Sequence, residues 1–321
     1  MSRVRGAALW LLAALCVWGS FQTSARIALR YPGLSLRYDD PVDARSVRQA
    51  LEDAPEEPTP AFWTEQNGAV QAEFRASEAL CIGVSGDASL VWPERFLKGG
   101  WFGPMAERMC AVSRQTALEL FGSLDCIGQT LTLDAETYTV SGVFKGKESV
   151  VVYSAPEGAE FTAIELTGEG ENPRADSLAF AAAAGLSEPD DIVYGRAMAK
   201  IARTAAWLPL TLASLPLFAA AWRALRRRIP RSVCLFALAF AAAMILPPIL
   251  NAVPGWLIPA QWSDFSFWPS LVEAAAERCT EWFRLAPSSR DVEMKCLLIA
   301  QAVFCIVSIA AVLCRRAGKS S

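Results

Sequence analysis

Few residues of this 321-residue chain could perform chemistry, and those few lack the partners that a reaction needs. The chain contains no histidine, which removes the commonest general base and every Ser-His-Asp or Cys-His arrangement. Val84-Ser85-Gly86 has the serine and one glycine of a nucleophile elbow, but it lacks the other flanking glycine and a base. A turn is the better interpretation of that tripeptide. We therefore expect no catalytic residue.

Metal and cofactor sites are equally weakly indicated. The pairs Asp39-Asp40 and Asp190-Asp191 could bind calcium, but no coordinating loop pattern surrounds them, and solvated carboxylates are the favoured interpretation. No glycine-rich phosphate loop of the Walker type occurs, so any ATP hydrolysis must come from another chain. We expect no bound metal and no cofactor.

The cysteines do not form a disulfide framework. Of nine cysteines, only Cys81, Cys110 and Cys126 lie in the long polar region, and three thiols cannot all pair internally. The remainder lie in or beside apolar stretches or in a late loop, where packing is the expected role. A Cys110–Cys126 disulfide stays open as an alternative to free thiols.

The apolar residues are concentrated in four stretches that are nearly free of charge. Hydrophobic residues make up 53% of the chain, and the stretches are 7–20, 204–222, 233–253 and 296–314. The last three are long enough to span a bilayer as helices. The first is short, so it is either a retained helix or a cleaved signal peptide with Arg3 and Arg5 as its basic start.

The placement of charge predicts the orientation in the membrane. The N-terminus, the segment 223–232 and the C-terminus are basic and contain no Asp or Glu. The region 23–203 instead holds 16 Lys or Arg against 27 Asp or Glu, a formal charge of −11. By the positive-inside rule, the basic segments are cytoplasmic and the acidic region is extracytoplasmic. An acidic exterior also argues against nucleic acid as a partner.

These observations predict eight consecutive parts, with both chain ends in the cytoplasm. In order they are an N-terminal transmembrane helix or signal peptide, an extracytoplasmic domain, a second transmembrane helix, a basic cytoplasmic loop, a third helix, an exterior loop, a fourth helix and a cytoplasmic tail. Their predicted bounds are 1–22, 23–203, 204–222, 223–232, 233–253, 254–295, 296–314 and 315–321.

Residues 113–144 have the clearest pattern in the exterior region. Ser113 can cap a short helix whose apolar face includes Ala117 and Leu120, and Gly122 suits the left-handed position after its end. A hairpin follows, with alternating residues at 130–133 and 138–143 and a turn at 134–136. Every position in this stretch has a structural task.

The rest of the exterior region predicts a mixed α+β fold. Strands are expected near 70–74, 80–84, 150–153 and 161–166, and helices at 44–52 and 174–185. The segment 32–60 is rich in proline, and a linker is expected after the helix at 44–52. The late exterior loop contains an amphipathic helix at 269–285, which either lies at the membrane interface or docks beneath the exterior domain.

The pattern A-x-x-L-F-G, then I-G, then two strands ending in V-x-G-V resembles the extracytoplasmic core domain of MacB-like and FtsX-like ABC-transporter permeases. The resemblance covers about 30 residues and extends more weakly to Gly99-Gly100. Cys126 departs from it, since the family usually has proline there. The alternative is a generic β-α-β-β module without any transporter connection. The residues that carry the motif are Ala117, Leu120, Phe121, Gly122, Ile127, Gly128, Gly142 and Val143.

The resemblance implies a fold, a location and partners. The expected fold is an α+β MacB-like periplasmic core inserted between the first transmembrane helix and a three-helix transmembrane bundle. The expected protein is a multi-pass permease-like subunit of the cell membrane, without enzymatic activity. It would transmit movements of a separate ATPase to the exterior domain, for export or for work on the envelope, and would form a homodimer or a heterodimer with another permease subunit.

The cytoplasmic loop departs from the family that the motif resembles. Such permeases usually carry a coupling helix there with an acidic residue and a glycine, whereas the segment 223–232 is basic and contains Pro230. An arginine-rich turn could still bind an acidic groove on an ATPase. The candidate contact residues are Arg223, Arg226, Arg227, Arg228 and Arg231. The alternative function is an uncoupled, membrane-anchored scaffold that uses the exterior domain for binding.

Overall fold

The computed structural model describes residues 2–43, 60–156, 158–167, 173–226, 236, 266–284 and 288–317. They belong to two compact units. Residues Leu29–Arg196 form one unit, called the sheet domain below, and Met1–Ala28 together with Ala197–Ser321 form the other, called the helical unit.

The described residues of the sheet domain form ten strands and three helices. The strands are β1 (Leu34–Val42), β2 (Pro60–Gln71), β3 (Ala76–Gly86), β4 (Phe96–Gly99), β5 (Met109–Ser113), β6 (Thr130–Leu133), β7 (Glu136–Phe144), β8 (Val150–Ser154), β9 (Phe161–Leu166) and β10 (Asp191–Tyr194). The helices are α2 (Ala88–Val91), α3 (Arg114–Phe121) and α4 (Pro173–Ala183).

All ten strands join one mixed sheet. The order is β10-β1-β9-β2-β3-β8-β5-β7-β4, and β6 pairs with both β2 and β7. The β3/β8 and β5/β7 pairs are parallel, and the other pairs are antiparallel. The strands β1 and β10 are neighbours although they begin and end the domain. The result is the α+β sheet domain that the sequence predicts.

Both faces of the sheet are buried. One face carries a core around Trp63, Ile82 and Val152, onto which α2 packs. Alternate residues of the same strands point to the other face, where two clusters pack beneath α3 and α4. This double coverage explains why β8, Val150–Ser154, is buried at every position.

A polar network lies inside the sheet where β1, β9 and β2 meet. Glu165 is 4% exposed, and its Oε1 accepts hydrogen bonds from Ser35 Oγ (2.7 Å) and Trp63 Nε1 (3.1 Å). The guanidinium of Arg37 lies over the Trp63 ring, with Cζ 4.7 Å from the ring centroid. Buried polar groups hydrogen-bonded in this way fix the register of β1 against β9.

Several strands lie where the sequence predicted no strand. The strand β1 falls within the proline-rich segment 32–60, for which no strand was predicted. The strand β2 begins ten residues before the predicted strand at 70–74, and β10 contains Asp191 of a pair interpreted as solvated. The predictions of β3, the β6/β7 hairpin, β8, β9 and α4 are confirmed. The predicted helix at 44–52 lies outside the described residues.

The helical unit contains α1 (Ser2–Arg30), which continues into the sheet domain, α5 (Gly195–Arg226), α6 (Phe267–Arg284) and α7 (Ser289–Ala317). Within the described residues, Ala7–Arg30 and Ser289–Cys314 are long and apolar enough to cross a membrane. The helix α6 lies at the position of the predicted helix at 269–285, and its location at the membrane interface or beneath the exterior domain stays a prediction. The predicted span 233–253 lies outside the described residues, apart from Phe236.

Candidate functional site

The residues that could perform chemistry occupy structural positions. Ser85 is a half-buried residue of β3 paired with Phe62. Asp190 Oδ2 accepts a hydrogen bond of 2.8 Å from the backbone N–H of Asp39, which joins the two predicted acidic pairs at the β1/β10 edge. Within the described part of the chain, no group of three His, Cys, Asp or Glu residues is arranged to hold a metal ion.

The three cysteines of the sheet domain are free and fully buried in one cluster. The Cys110–Cys126 disulfide, left open by the sequence, is therefore not formed. Burial raises the pKa of Cys81 to about 12 and also raises the pKa values of Cys110 and Cys126. Thiols that stay protonated at neutral pH are poor nucleophiles, so packing is their role here.

The segment 113–144, called the motif module below, begins with a buried helix cap. Ser113 is 0% exposed, and its Oγ accepts the N–H of Thr116 (3.1 Å) and donates to the carbonyl of Glu148 (2.7 Å). Thr116 Oγ1 donates to the carbonyl of Val150 (3.2 Å). The same hydroxyls that start α3 therefore also fasten it to the beginning of β8.

The helix α3 ends as the sequence predicts. Gly122 has a φ of +69°, and its N–H donates to the carbonyl of Leu118 at 3.0 Å. A Cβ at this position would lie 3.4 Å from its nearest neighbour, Nη1 of Arg75. The glycine is therefore required by the left-handed backbone rather than by space.

A carboxylate in the middle of α3 links the helix to two other elements. Glu119 accepts hydrogen bonds from Ser149 Oγ (2.5 Å), Gln115 Nε2 (2.6 Å) and Ser77 Oγ (2.7 Å). These donors favour the ionised form and lower the pKa of Glu119, with the Ser149 bond as the largest cause. Sequence reasoning missed this residue, because Ser77 and Ser149 are distant in the chain. In the sequence, only the four-residue spacing of Gln115 and Glu119 indicates one of these contacts.

The inner face of the motif module is apolar. Ala117 and Leu120 of α3 pack in one cluster with Leu131 of β6 and with Val140 and Val143 of β7. Phe121 is partly buried against the same cluster. The motif residues on α3 and β7 thus join the helix to the sheet through one core.

Glycines allow the close approach of β4 to β7. A Cβ at Gly142 would lie 2.5 Å from the Phe96 ring and 2.6 Å from the carbonyl oxygen of Gly100. Ser141 Oγ lies 3.1 Å from that same oxygen and 3.0 Å from the Cys110 oxygen. Ile127 differs from the other apolar side chains of the motif, since it is 49% exposed, and its Cδ1 lies 3.0 Å from where a Cβ at Gly99 would be.

The arginine segment begins inside a helix. The helix α5 extends to Arg226, so Arg223 and Arg226 lie in its last turn, beyond the predicted end of the second span at residue 222. Arg227, Arg228 and Arg231 lie outside the described residues. Contact of these arginines with an ATPase stays a prediction.

The chain enters and leaves the sheet domain through neighbouring strands. The strand β1 follows α1 after three residues, β10 leads directly into α5, and the two strands pair from Leu34 opposite Tyr194 to Arg37 opposite Asp191. Gly195 makes this crossing possible, because a Cβ there would lie 2.6 Å from the Cβ of Tyr31. Arg196 Nε also donates to the carbonyl of Pro32.

No family model and no curated protein matches this chain. Among solved structures, it is similar to the extracellular domain of a noncanonic ABC-type transporter, YknZ, from Gram-positive bacteria. That alignment has 11% identity and a TM-score of 0.39, and covers 49% of this chain and 96% of that one. It is also similar to the periplasmic region of MacB from Actinobacillus actinomycetemcomitans, with 9% identity, a TM-score of 0.42, and 51% and 89% of the two chains covered.

Proposed function

We propose that this chain is a permease-like membrane subunit without enzymatic activity, which transmits movements of a separate ATPase to an extracytoplasmic sheet domain. ATP is bound by the partner and not by this chain. The expected assembly is a homodimer or a heterodimer with another permease subunit, in which closure of the ATPase moves the membrane helices. The sheet domain would convert this movement into export or into work on the cell envelope.

The observation that supports this proposal most directly is the crossing at β1 and β10. Two helices of the chain, α1 and α5, are continuous with these adjacent strands. A displacement of either helix therefore reaches the sheet at one place, where the buried Ser35–Glu165 bond ties β1 to β9. A domain on a flexible tether would not receive such a displacement.

The distribution of charge supports the proposed location. The acidic region 23–203 and the three acid-free basic segments fit an exterior sheet domain and cytoplasmic chain ends. The apolar stretches Ala7–Arg30 and Ser289–Cys314 fit membrane helices by length and composition. The multi-pass arrangement with a third and a fourth span is part of the proposal.

An uncoupled scaffold is the second candidate function. The segment 223–232 lacks the acidic residue and the glycine of the coupling helix in the permeases that the motif module resembles. In this alternative, the sheet domain binds a partner protein or an envelope component, and the arginines only enforce orientation. The two candidates make different predictions for the arginine segment.

The test is co-purification from native membranes in mild detergent, comparing the wild-type chain with a variant in which Arg226, Arg227 and Arg228 are all lysine. Lysine satisfies the positive-inside rule equally well but cannot make planar bidentate contacts with carboxylates. We expect the wild type to retain an ATPase and the triple-lysine variant to retain less. Equal retention would remove this segment as the specific contact. Failure of the wild type to retain any ATPase would favour the scaffold.

A further inference from the structure

Several polar side chains of the apolar helices bond to their own helix. Thr23 Oγ1 donates to the carbonyl of Gly19 at 2.8 Å, and Ser308 Oγ donates to the carbonyl of Cys305 at 2.9 Å. Ser24 Oγ donates to the carbonyl of Phe21 at 2.9 Å. Such bonds satisfy a hydroxyl without help from a neighbouring helix, so they carry no information about how the helices are arranged.

Gln301 of α7 is different, because its amide nitrogen donates at short distance to two other helices and has a longer contact of 3.7 Å with Cys305 Sγ in its own helix. The side chain is 4% exposed. Its Nε2 donates to Ser20 Oγ of α1 at 2.7 Å and to the carbonyl of Ala202 of α5 at 2.8 Å. One carboxamide thus joins three helices that are far apart in the chain.

The hydrogen bonds continue through a thiol. Ser20 Oγ, which accepts from Gln301, lies 3.5 Å from Cys305 Sγ, and Cys305 Sγ lies 3.4 Å from the carbonyl oxygen of Ala205. Because Cys305 has one hydrogen and Ala205 offers only an acceptor, Ser20 donates to the sulfur and the sulfur donates to Ala205. We call the side chains of Ser20, Gln301 and Cys305, with the carbonyls of Ala202 and Ala205, the polar hub.

The helices approach one another closely at the level of the polar hub. A Cβ at Gly19 would lie 3.0 Å from the Phe304 ring, so the absence of a side chain lets α7 approach α1. The rings of Phe21 and Trp207 meet edge to face with centroids 5.1 Å apart, which brings α1 against α5. Farther along, Ala13 packs with Ala311 and Val312 through apolar atoms alone.

Apolar contacts distinguish poorly between alternative helix arrangements in a bilayer, because lipid tails are as apolar as leucine. Directional hydrogen bonds do distinguish, since a shift of one helix separates donor from acceptor. The polar hub supplies four such bonds between helices. Among the described residues, Gln301 Oε1 has no donor, so the amide N–H groups make the contribution of Gln301 to the hub.

We propose that the polar hub is the lock that fixes α1, α5 and α7 against one another, with Gln301 as its central positioning residue. While the lock is closed, the two helices that are continuous with β1 and β10 move as one body with α7. Breaking it lets α1 and α5 shift independently. The inference rests on the proposed membrane role of these helices, but it does not require that an ATPase be coupled.

The experiment uses the native thiol of Cys305 as a reporter. Ser20→Cys places a second thiol opposite it, where the native atoms are 3.5 Å apart. The full-length chain in native membranes is oxidised with copper-phenanthroline. A protease site inserted between residues 50 and 51 then separates α1 from α7 on a non-reducing gel unless a disulfide joins them. The chain with native Ser20 measures the background from the other cysteines.

We expect rapid cross-linking in Ser20→Cys, because Gln301 still holds α7 to Ala202. Adding Gln301→Met, which keeps the length but removes both donors, should slow cross-linking at least about threefold. Gln301→Asn, shorter by one methylene, should give an intermediate rate and serves if the methionine variant does not fold. Ser308→Ala is the matched control on the same helix, since it removes only a bond within α7, and it should leave the rate unchanged.

Two results would overturn the lock. If Ser20→Cys does not cross-link to Cys305 above background, α1 and α7 do not meet at the polar hub. If Gln301→Met and Gln301→Asn cross-link as fast as the chain with Gln301, the hub forms but does not hold the helices. Neither result bears on ATPase retention, which tests the proposed function separately.

Discussion

The sheet domain and the helical unit are held together by different means. In the sheet domain, two covered faces and close backbone approaches at Gly142 and Gly195 leave little freedom, and Ser113 and Glu119 each join several elements. In the helical unit, the polar hub centred on Gln301 links α1, α5 and α7 by directional hydrogen bonds, and Ala13 packs with Ala311 and Val312. The sheet domain is therefore built as a stiff body, and the helical unit as an assembly that a few bonds hold in one arrangement.

The largest expected effect concerns the location of the two units. Single cysteine probes at Glu57 and Ser288 should be modified by an impermeant reagent in intact cells, whereas probes at Arg227 and Lys319 should not. The contrast should be nearly all or none, because the bilayer blocks the reagent. Labelling of Arg227→Cys from outside would remove the proposed orientation, and with it the assignment of the acidic unit to the exterior.

The next effect tests the stiffness of the sheet domain. Gly142→Val should destabilise it by more than about 3 kcal/mol, because even a Cβ would overlap the Phe96 ring and the Gly100 carbonyl. Chemical denaturation monitored by tryptophan fluorescence measures the loss. Gly103→Ala is the matched control, since no heavy atom lies within 4 Å of its Cβ, and it should change stability by about 0.5 kcal/mol or less. Similar values for both would mean that β4 is not packed tightly on β7.

A smaller effect is expected at the end of α3. Gly122→Val should cost about 1–3 kcal/mol, because a β-branched residue is strained at a φ of +69°. Gly122→Asn should cost less, since asparagine tolerates the left-handed region. Ser85→Ala should change little, because Ser85 is treated as a structural residue without a catalytic task. An unchanged melting temperature for Gly122→Val would mean that the left-handed conformation at residue 122 does not contribute to the stability of the sheet domain.

The smallest effect is a pH dependence at Glu119. Since its pKa is lowered in the folded state, ionised Glu119 adds stability above its ordinary pKa, and this stability is lost as the pH falls through the folded pKa. Melting temperatures of the wild type should therefore approach those of Glu119→Gln as the pH falls below about 4.5. Glu78→Gln is a control on the neighbouring strand. A constant difference between wild type and Glu119→Gln down to pH 3 would contradict the link.

The sequence revealed the motif module because its signals are local. A cap at Ser113, a glycine at position 122 and two short alternating runs predict the helix, its end and the hairpin without knowledge of the remaining chain. The core residues Ala117 and Leu120 follow from helical spacing alone. Exposure of Ile127 did not follow, because the approach of β4 beneath it depends on Gly99, which is 28 positions away.

The strand β1 was missed for a different reason. Leu34, Leu36 and Tyr38 alternate with polar residues as in a strand, but Pro32 and Pro41 argue against a strand and none was predicted there. The polar residues Ser35 and Arg37 are themselves buried. Ser35 donates a hydrogen bond to Glu165, and Arg37 stacks on Trp63; both partners lie on strands more than 20 residues away in the chain. The polar hub was equally invisible, since nothing near Gln301 in the sequence indicates Ser20 as its partner.

Because β1 pairs with β10, the chain enters and leaves the sheet domain at the same place. Its first and last strands lie side by side, so residues 29–196 could be removed or replaced by a short turn without stretching the helices apart. By the same geometry, an unrelated domain with adjacent ends could be grafted between Leu34 and Tyr194. Exchange of one sheet domain for another on the same helices would need changes only at this crossing, whether made by recombination or by design.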